Sequence, residues 1–255
     1  MLHFRKNKPI ERNYIGKRLS EQTPFAVQEA FRAMRANISY ATAGAGKHIF
    51  GMTSAHAGEG KSIVVANLAI SFSMLEKKVL LIDADMRCPV QQEIFGAEVA
   101  PEQKGLTEYL AGLATDVNEC VVEVQKGLSL IPCGKIPPNP AELLASSRMQ
   151  ELLASLADSF DYIFIDLPPI CEVSDAAMIS ASLNGYFLVT RAGHCEAREL
   201  ARAEEALRGA GARLCGVVLN DATAEKSAYY SKHYYGYGAY DQSGRDRNKK
   251  RRNRK

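Results

Sequence analysis

A chain of 255 residues with 46% hydrophobic residues can bury a full core and fits one domain. The net charge of +3 is uneven: residues 245–255 hold eight Lys/Arg against one Asp, and removing that local +7 leaves about −4 elsewhere. No apolar run approaches the ~20 residues that span a bilayer, and the best stretch, Ile63–Leu75, is interrupted by Asn67, Ser71 and Ser73. Met1–Lys6 lacks the apolar centre of a signal peptide, and six scattered cysteines without a C-x-x-C pair argue against a disulfide framework or a zinc site. These features predict a cytoplasmic protein. The basic tail, with neither aromatics nor a groove-reading motif, is not that of a sequence-specific nucleic-acid binder.

Residues 1–24 are polar, lack periodicity and end at Thr23-Pro24, which marks an N-terminal extension and a helix boundary. From Phe25 to Tyr40 the apolar positions Phe25, Phe31, Met34 and Ile38 predict a helix. Glu29, Arg32 and Arg35 recur every three residues along it, an exposed strip that allows an i,i+3 ion pair. Residues 43–47 turn into a short buried strand, His48–Thr53.

Ala55-x4-Gly60-Lys61-Ser62 follows, a P-loop with Ala in place of the usual first Gly, and Ser62–Leu75 reads as the helix after it. Small residues let the backbone N–H groups of Ala57, Gly58, Glu59 and Gly60 converge on one point, where the positive end of the helix adds its field. Lys61 supplies a point charge for the β- and γ-phosphates, and the Ser62 hydroxyl supplies a ligand to Mg²⁺.

Val79–Ile82 is a continuous apolar strand ending in Asp83-Ala84-Asp85-Met86-Arg87. Gly105–Leu113 reads as a helix, Leu128–Pro132 as a strand, Pro137–Pro140 as a rigid turn and Ala141–Leu156 as one helix. Tyr162–Asp166 is a strand running into Pro168-Pro169, and Asp175–Leu183 is helical. Gly185–Thr190 is a strand, Glu196–Arg208 a charged helix, and Cys215–Leu219 a last strand before Asn220. Apolar strands alternating with helices predict an α/β fold, a P-loop NTPase-type, mostly parallel sheet with helices on both faces.

The domain spans 25–226 on this reading. Residues 227–242 then form a mobile arm carrying Tyr229, Tyr230, Tyr234, Tyr235, Tyr237 and Tyr240, and 243–255 a flexible basic tail. That tail suits either solubility or attraction to anionic lipid.

In a parallel sheet the carboxyl ends of the strands converge on the ligand crevice. Asp166 has the form of a Walker B carboxylate that holds Mg²⁺ opposite Ser62. Asp83 and Asp85 sit at the mouth of a strand beside the P-loop. One carboxylate can organise the metal while the other accepts a proton from an attacking hydroxyl. An Asp-x-Asp in ion pair with Arg87 is the plainer alternative.

Together the P-loop at Ala55–Ser62, D-A-D-M-R at Asp83–Arg87 and I-D-L-P-P at Ile165–Pro169 resemble the bacterial tyrosine kinases of capsule and exopolysaccharide synthesis. Glu29-x-x-Arg32-x-x-Arg35 resembles that family's ring-contact helix. Gly134–Leu144 is similar to its middle segment, and the tyrosine arm to its C-terminal autophosphorylation cluster. The resemblance covers about Thr23 to Tyr240. It implies ATP and Mg²⁺ as cofactors, with Lys61 and Ser62 on phosphates and metal. It makes Asp83 base and metal organiser, Asp85 a second acidic partner, Asp166 the Walker B ligand and Asn220 an adenine-reading position.

The resemblance also implies several partners. They are a homo-oligomeric ring that phosphorylates in trans, a membrane adaptor of the polysaccharide chain-length regulator type, and a cognate tyrosine phosphatase. The protein then lies peripherally at the inner face of the membrane through its partner. A second reading on the same fold is a partitioning-type ATPase switch that recruits partners by nucleotide-dependent dimerisation. Such ATPases carry an extra Lys near the start of the P-loop, and His56 stands at that place here.

Overall fold

The computed structural model describes residues 15–44, 48–96, 99–100 and 102–222. The six tyrosines of 229–240 and the basic tail therefore lie outside the described residues. Among the described residues seven strands form one sheet in the order β3-β4-β2-β5-β1-β6-β7. They are β1 (Ile49–Ser54), β2 (Val79–Asp83), β3 (Val122–Gln125), β4 (Leu128–Ile131), β5 (Tyr162–Asp166), β6 (Gly185–Arg191) and β7 (Leu214–Asn220). Every pairing is parallel except β3 with β4.

The two-residue period of the strands sorts their side chains into two cores. Ile49, Leu80, Ile82, Ile163 and Ile165 face one layer. Phe50, Met52, Leu81, Tyr162 and Phe164 face the other. Each strand is therefore buried on both faces, which is why these segments read as unbroken apolar runs.

Helix α1 (Phe25–Ala41), α2 (Lys61–Ser73) and α3 (Gln91–Phe95) cover the second face. The first face is covered by α4 (Leu106–Leu110), α5 (Pro140–Leu144), α6 (Ser147–Leu156), α7 (Asp175–Met178) and α8 (Ala197–Gly209). Helix α2 is buried almost all round because α1 lies over it, which explains why its sequence shows no polar stripe.

Several expectations change. The single helix expected over Ala141–Leu156 is two, because Ser146 turns extended (φ −68°, ψ 154°) and its Oγ accepts from the Met149 N–H at 3.3 Å. Gly105–Leu113 shortens to α4, and Asp175–Leu183 to one turn followed by a 3₁₀ turn at Ser180–Ser182. Strand β3, which the sequence reading passed over, is a short, half-exposed edge. Phe25 opens α1 but is 73% exposed, so the buried stripe begins at Phe31.

The segment after β4 is fastened by Glu108 of α4. Its carboxylate accepts from the Gly105 N–H at 2.9 Å and the Lys135 N–H at 3.1 Å, straddling Gly134. Gly134 has φ +79°, and a Cβ there would fall on that carboxylate. Gly134→Ala is therefore expected to destabilise the protein by about 1–3 kcal/mol. A melting curve should show this as a fall of roughly 2–10 °C.

Candidate active site at the carboxyl ends of β1, β2 and β5

The P-loop joins β1 to α2, and Gly58 and Gly60 take φ +85° and +84° to turn it. Ala55, in the place of a Gly, is not in the left-handed region and buries its methyl in the core beneath the loop, so no positive φ calls for a Gly there. The loop braces itself. The Glu59 carboxylate turns back to accept from the His56 N–H at 2.8 Å, and Ser54 Oγ donates to the His56 carbonyl at 2.7 Å. Asn220, expected to read adenine, donates from Nδ2 to the Glu59 carbonyl at 2.9 Å, so β7 holds the loop directly. A side chain at Gly60 would collide with that amide.

Parallel register sets the chemistry next to this loop. Asp83 and Asp166 are register partners at the ends of β2 and β5. Lys61 extends from the first turn of α2 into the space between, 2.7 Å from Asp85 Oδ2 and 3.1 Å from Asp166 Oδ1. It also lies 3.2 Å from Ser62 Oγ. Burial pulls the Lys61 pKa down, but the charges and hydrogen bonds of Asp166 and Asp85 prevail and hold it above the ordinary lysine value.

Asp83 is fully buried. Its Oδ2 accepts from the N–H groups of Val90 and Gln91 at 3.1 and 2.9 Å, and its Oδ1 has no partner. Burial, then the neighbouring Asp166 charge, pushes its pKa well above the usual carboxylate range. The expected charged cluster is therefore divided. Asp85 and Asp166 share the lysine, while the bonds to Asp83 come from backbone N–H groups.

Arg87 does not pair with Asp83 or Asp85. It makes a two-pronged contact with the buried Asp175 at the start of α7, Nε–Oδ2 2.8 Å and Nη2–Oδ1 2.9 Å. This sets aside the plainer alternative of an ion pair within D-A-D-M-R.

Among the described residues, no three His, Cys, Asp or Glu side chains gather closely enough to hold a metal alone. Mg²⁺ does not require that, because it keeps waters and shares ligands with phosphates. The unpartnered Asp83 Oδ1, Asp166 and the Ser62 hydroxyl are oxygen donors of the kind it takes.

Of the α1 strip, Arg32 pairs with Glu29 at the surface. Arg35 departs from the expected exposed strip, donating from Nη1 to the Ser71 carbonyl and Oγ on α2. The sequence reading overlooked Gln91, whose side-chain amide donates to Asp166 Oδ2 at 2.8 Å. It also overlooked Glu172, which accepts from the Ala57 N–H of the P-loop at 2.7 Å. Gln91 follows D-A-D-M-R-C-P-V as a polar residue opening a helix, a signal that was there to be used. Glu172 carried none, because only the fold brings it to the loop.

A glycine-turned loop at a helix N-terminus, beside aspartates ending two parallel strands, defines a P-loop nucleotide-binding protein. The sequence profile of the AAA domain matches residues 47–192, more than half the chain. Tyrosine-protein kinase CpsD of Streptococcus agalactiae is 37% identical over 215 residues, spanning 84% of this chain and 91% of that protein. Tyrosine-protein kinase YwqD of Bacillus subtilis is 38% identical over 82% of this chain and 86% of its own length. The kinase domain of the Escherichia coli tyrosine kinase ETK superposes with a TM-score of 0.75 at 34% identity, covering 86% of this chain and 82% of that one. The chain belongs to the bacterial tyrosine-protein kinase family.

Among the described residues no helix is long and apolar enough to cross a membrane.

The divided cluster has a pH signature. A carboxyl whose folded pKa is raised binds more protons folded than unfolded, so it costs stability as pH rises from the unfolded value through the folded one. Asp83→Asn removes that cost. In EDTA near pH 8 the variant should melt at a higher temperature than the parent. The gap should narrow as the buffer is taken towards pH 4–5. An equal melting temperature at every pH would contradict the assignment.

Proposed function

We propose that this kinase binds ATP with Mg²⁺ at the P-loop and transfers the γ-phosphoryl to tyrosine hydroxyls of the 229–240 cluster on a neighbouring copy. The single observation that carries the site assignment is the meeting of Lys61, Asp83, Asp85 and Asp166 at one strand-end crevice beside the loop.

A tyrosine hydroxyl, with a pKa of about 10, attacks poorly unless a carboxylate takes its proton. The tyrosine oxygen forms a bond to the γ-phosphorus, the bond from that phosphorus to the bridging oxygen breaks, and ADP departs. The proton passes to a carboxylate. Asp83 suits that role by position, since it ends β2 opposite Asp166 and its Oδ1 has no partner. Lys61 leaves Asp85 and Asp166 for the phosphates as ATP enters, neutralising charge on the transferred group. Mg²⁺, when bound, neutralises the same group, with Ser62, Asp83 and Asp166 as its protein donors and Asp85 as a second acidic partner. The N–H groups of Ala57, Gly58, Glu59 and Gly60 cradle the phosphates, and Asn220 borders the nucleotide as it borders the loop.

The strip Glu29, Arg32 and Arg35 is the contact between copies in a ring. Arg35 anchors it to α2, and Glu29 and Arg32 face outward. The domain runs over 25–226, with 1–24, 227–242 and 243–255 as extension, tyrosine arm and basic tail. The kinase works in capsule or exopolysaccharide synthesis with a membrane adaptor of the chain-length-regulator type and a cognate phosphatase. That adaptor brings it to the inner face of the membrane.

The test is mass spectrometry of residues 227–242 after incubation with Mg-ATP. Parent, Lys61→Met and Asp83→Asn proteins are compared with and without a candidate adaptor tail. Phosphotyrosine is expected in the parent alone, weak without the adaptor and stronger with it. ATP hydrolysis without phosphotyrosine, adaptor present, would favour the partner-recruiting switch.

A further inference from the structure

Gln91 opens α3, and none of it is exposed. Its backbone N–H donates to Asp83 Oδ2 at 2.9 Å. Its side-chain Nε2 donates to Asp166 Oδ2 at 2.8 Å and to the Ser62 carbonyl at 3.0 Å. One residue thus touches the aspartates ending β2 and β5 and the first turn of α2. Its Oε1 is buried with no donor, as is Asp83 Oδ1. A buried amide oxygen without a partner is costly and uncommon, so its retention on a residue bonded to Asp83, which has an unpartnered oxygen of its own, calls for a reason.

We propose that Gln91 is a positioning residue for the cation that accompanies the nucleotide. Its amide N–H engages Asp166 Oδ2 and so fixes the carboxylate with Oδ1 turned towards Lys61. Its Oε1 is then the acceptor for a water in the cation's shell. The geometry separates the labour within one carboxylate: Oδ2 is held by Gln91, and Oδ1 is held by Lys61, the group that leaves for the phosphates on the kinase site proposed above. Outer-shell hydrogen bonds to ligating carboxylates commonly govern metal affinity by 10–100-fold. This inference rests on the kinase site proposed above.

The test is binding rather than turnover. A fluorescent ADP analogue is titrated onto the full chain with Mg²⁺ and with EDTA, for the parent, Gln91→Leu and Gln91→Glu. Apo melting curves establish that each variant is folded, and Gln91→Met replaces Leu if Leu is not. The expected result is that Gln91→Leu needs roughly ten-fold more Mg²⁺ to tighten the nucleotide. Its affinity in EDTA should stay within about two-fold of the parent. Gln91→Glu keeps the shape but sets a second acceptor against Asp166, so its Mg²⁺ requirement should rise further.

An unchanged Mg²⁺ requirement in folded variants would reduce Gln91 to packing and overturn the proposal. An equal loss with and without Mg²⁺ would overturn it as well, moving the effect to the P-loop through Ser62. If the parent bound no nucleotide in either buffer, the kinase site itself would fall, which is a different result from either.

Discussion

The site depends on one buried cation. The Lys61 ammonium is enclosed at the ends of β2 and β5, bonded to Asp85 and Asp166, in a place where none of the three groups meets much water. Taking such charges out of water is costly, and removing one partner would leave the others uncompensated. The arrangement therefore holds the P-loop helix, β2 and β5 at one register. The group that steadies the resting fold is thus the same one proposed above to meet the phosphates.

That clamp is possible because the sheet is parallel and central strands carry the site. Parallel pairing places Asp83 opposite Asp166, and it puts β1, which leads into the P-loop, beside β5. Everything packed on the two faces serves this alignment. Phe72 of α2 packs its ring on Tyr162 and Phe164 of β5, and Phe50 of β1 extends the run of tilted and stacked rings, which seats the helix on the sheet. On the other face Tyr186 ties its hydroxyl to the Ala176 carbonyl at 2.6 Å, one residue after Asp175, the Arg87 partner that opens α7, and anchors that turn.

The surface helix α1 is joined to the same machinery. Arg35 grips the far end of α2, whose near end carries Lys61, while Arg32 and Glu29 on the same strip face outward. A contact made by that strip thus bears on an element shared with the nucleotide loop. The loop is braced from the opposite side too. His56 sits 3.6 Å from Glu172 and 3.5 Å from Glu199, and Ala57 donates to Glu172. The P-loop is held by β7 through Asn220, by the segment before α7 and by α8, rather than by its own glycines alone.

What could be read without coordinates were the features encoded locally. Strands buried on both faces are continuous apolar runs, a phosphate loop needs small residues before Lys-Ser, and an aspartate ending such a strand points into the crevice. Hence the parallel α/β architecture, the P-loop and Asp83, Asp85 and Asp166 were all legible. Short elements were less so: β3 is too brief and too exposed to carry a pattern, and the break at Ser146 lies in a stretch whose spacing suits one helix. Tertiary structure alone decided who pairs with whom. Arg87 reaches Asp175 across 88 positions, Gln91 reaches Asp166 across 75, and Asn220 holds a loop 161 positions away. Such partners share no periodicity or spacing, because the sheet order that brings them together is set by the packing of whole elements. The difference between Asp83 and its neighbours has the same origin. Two aspartates two residues apart are alike in sequence and both buried, and only the reach of one lysine, which bonds Asp85, tells them apart.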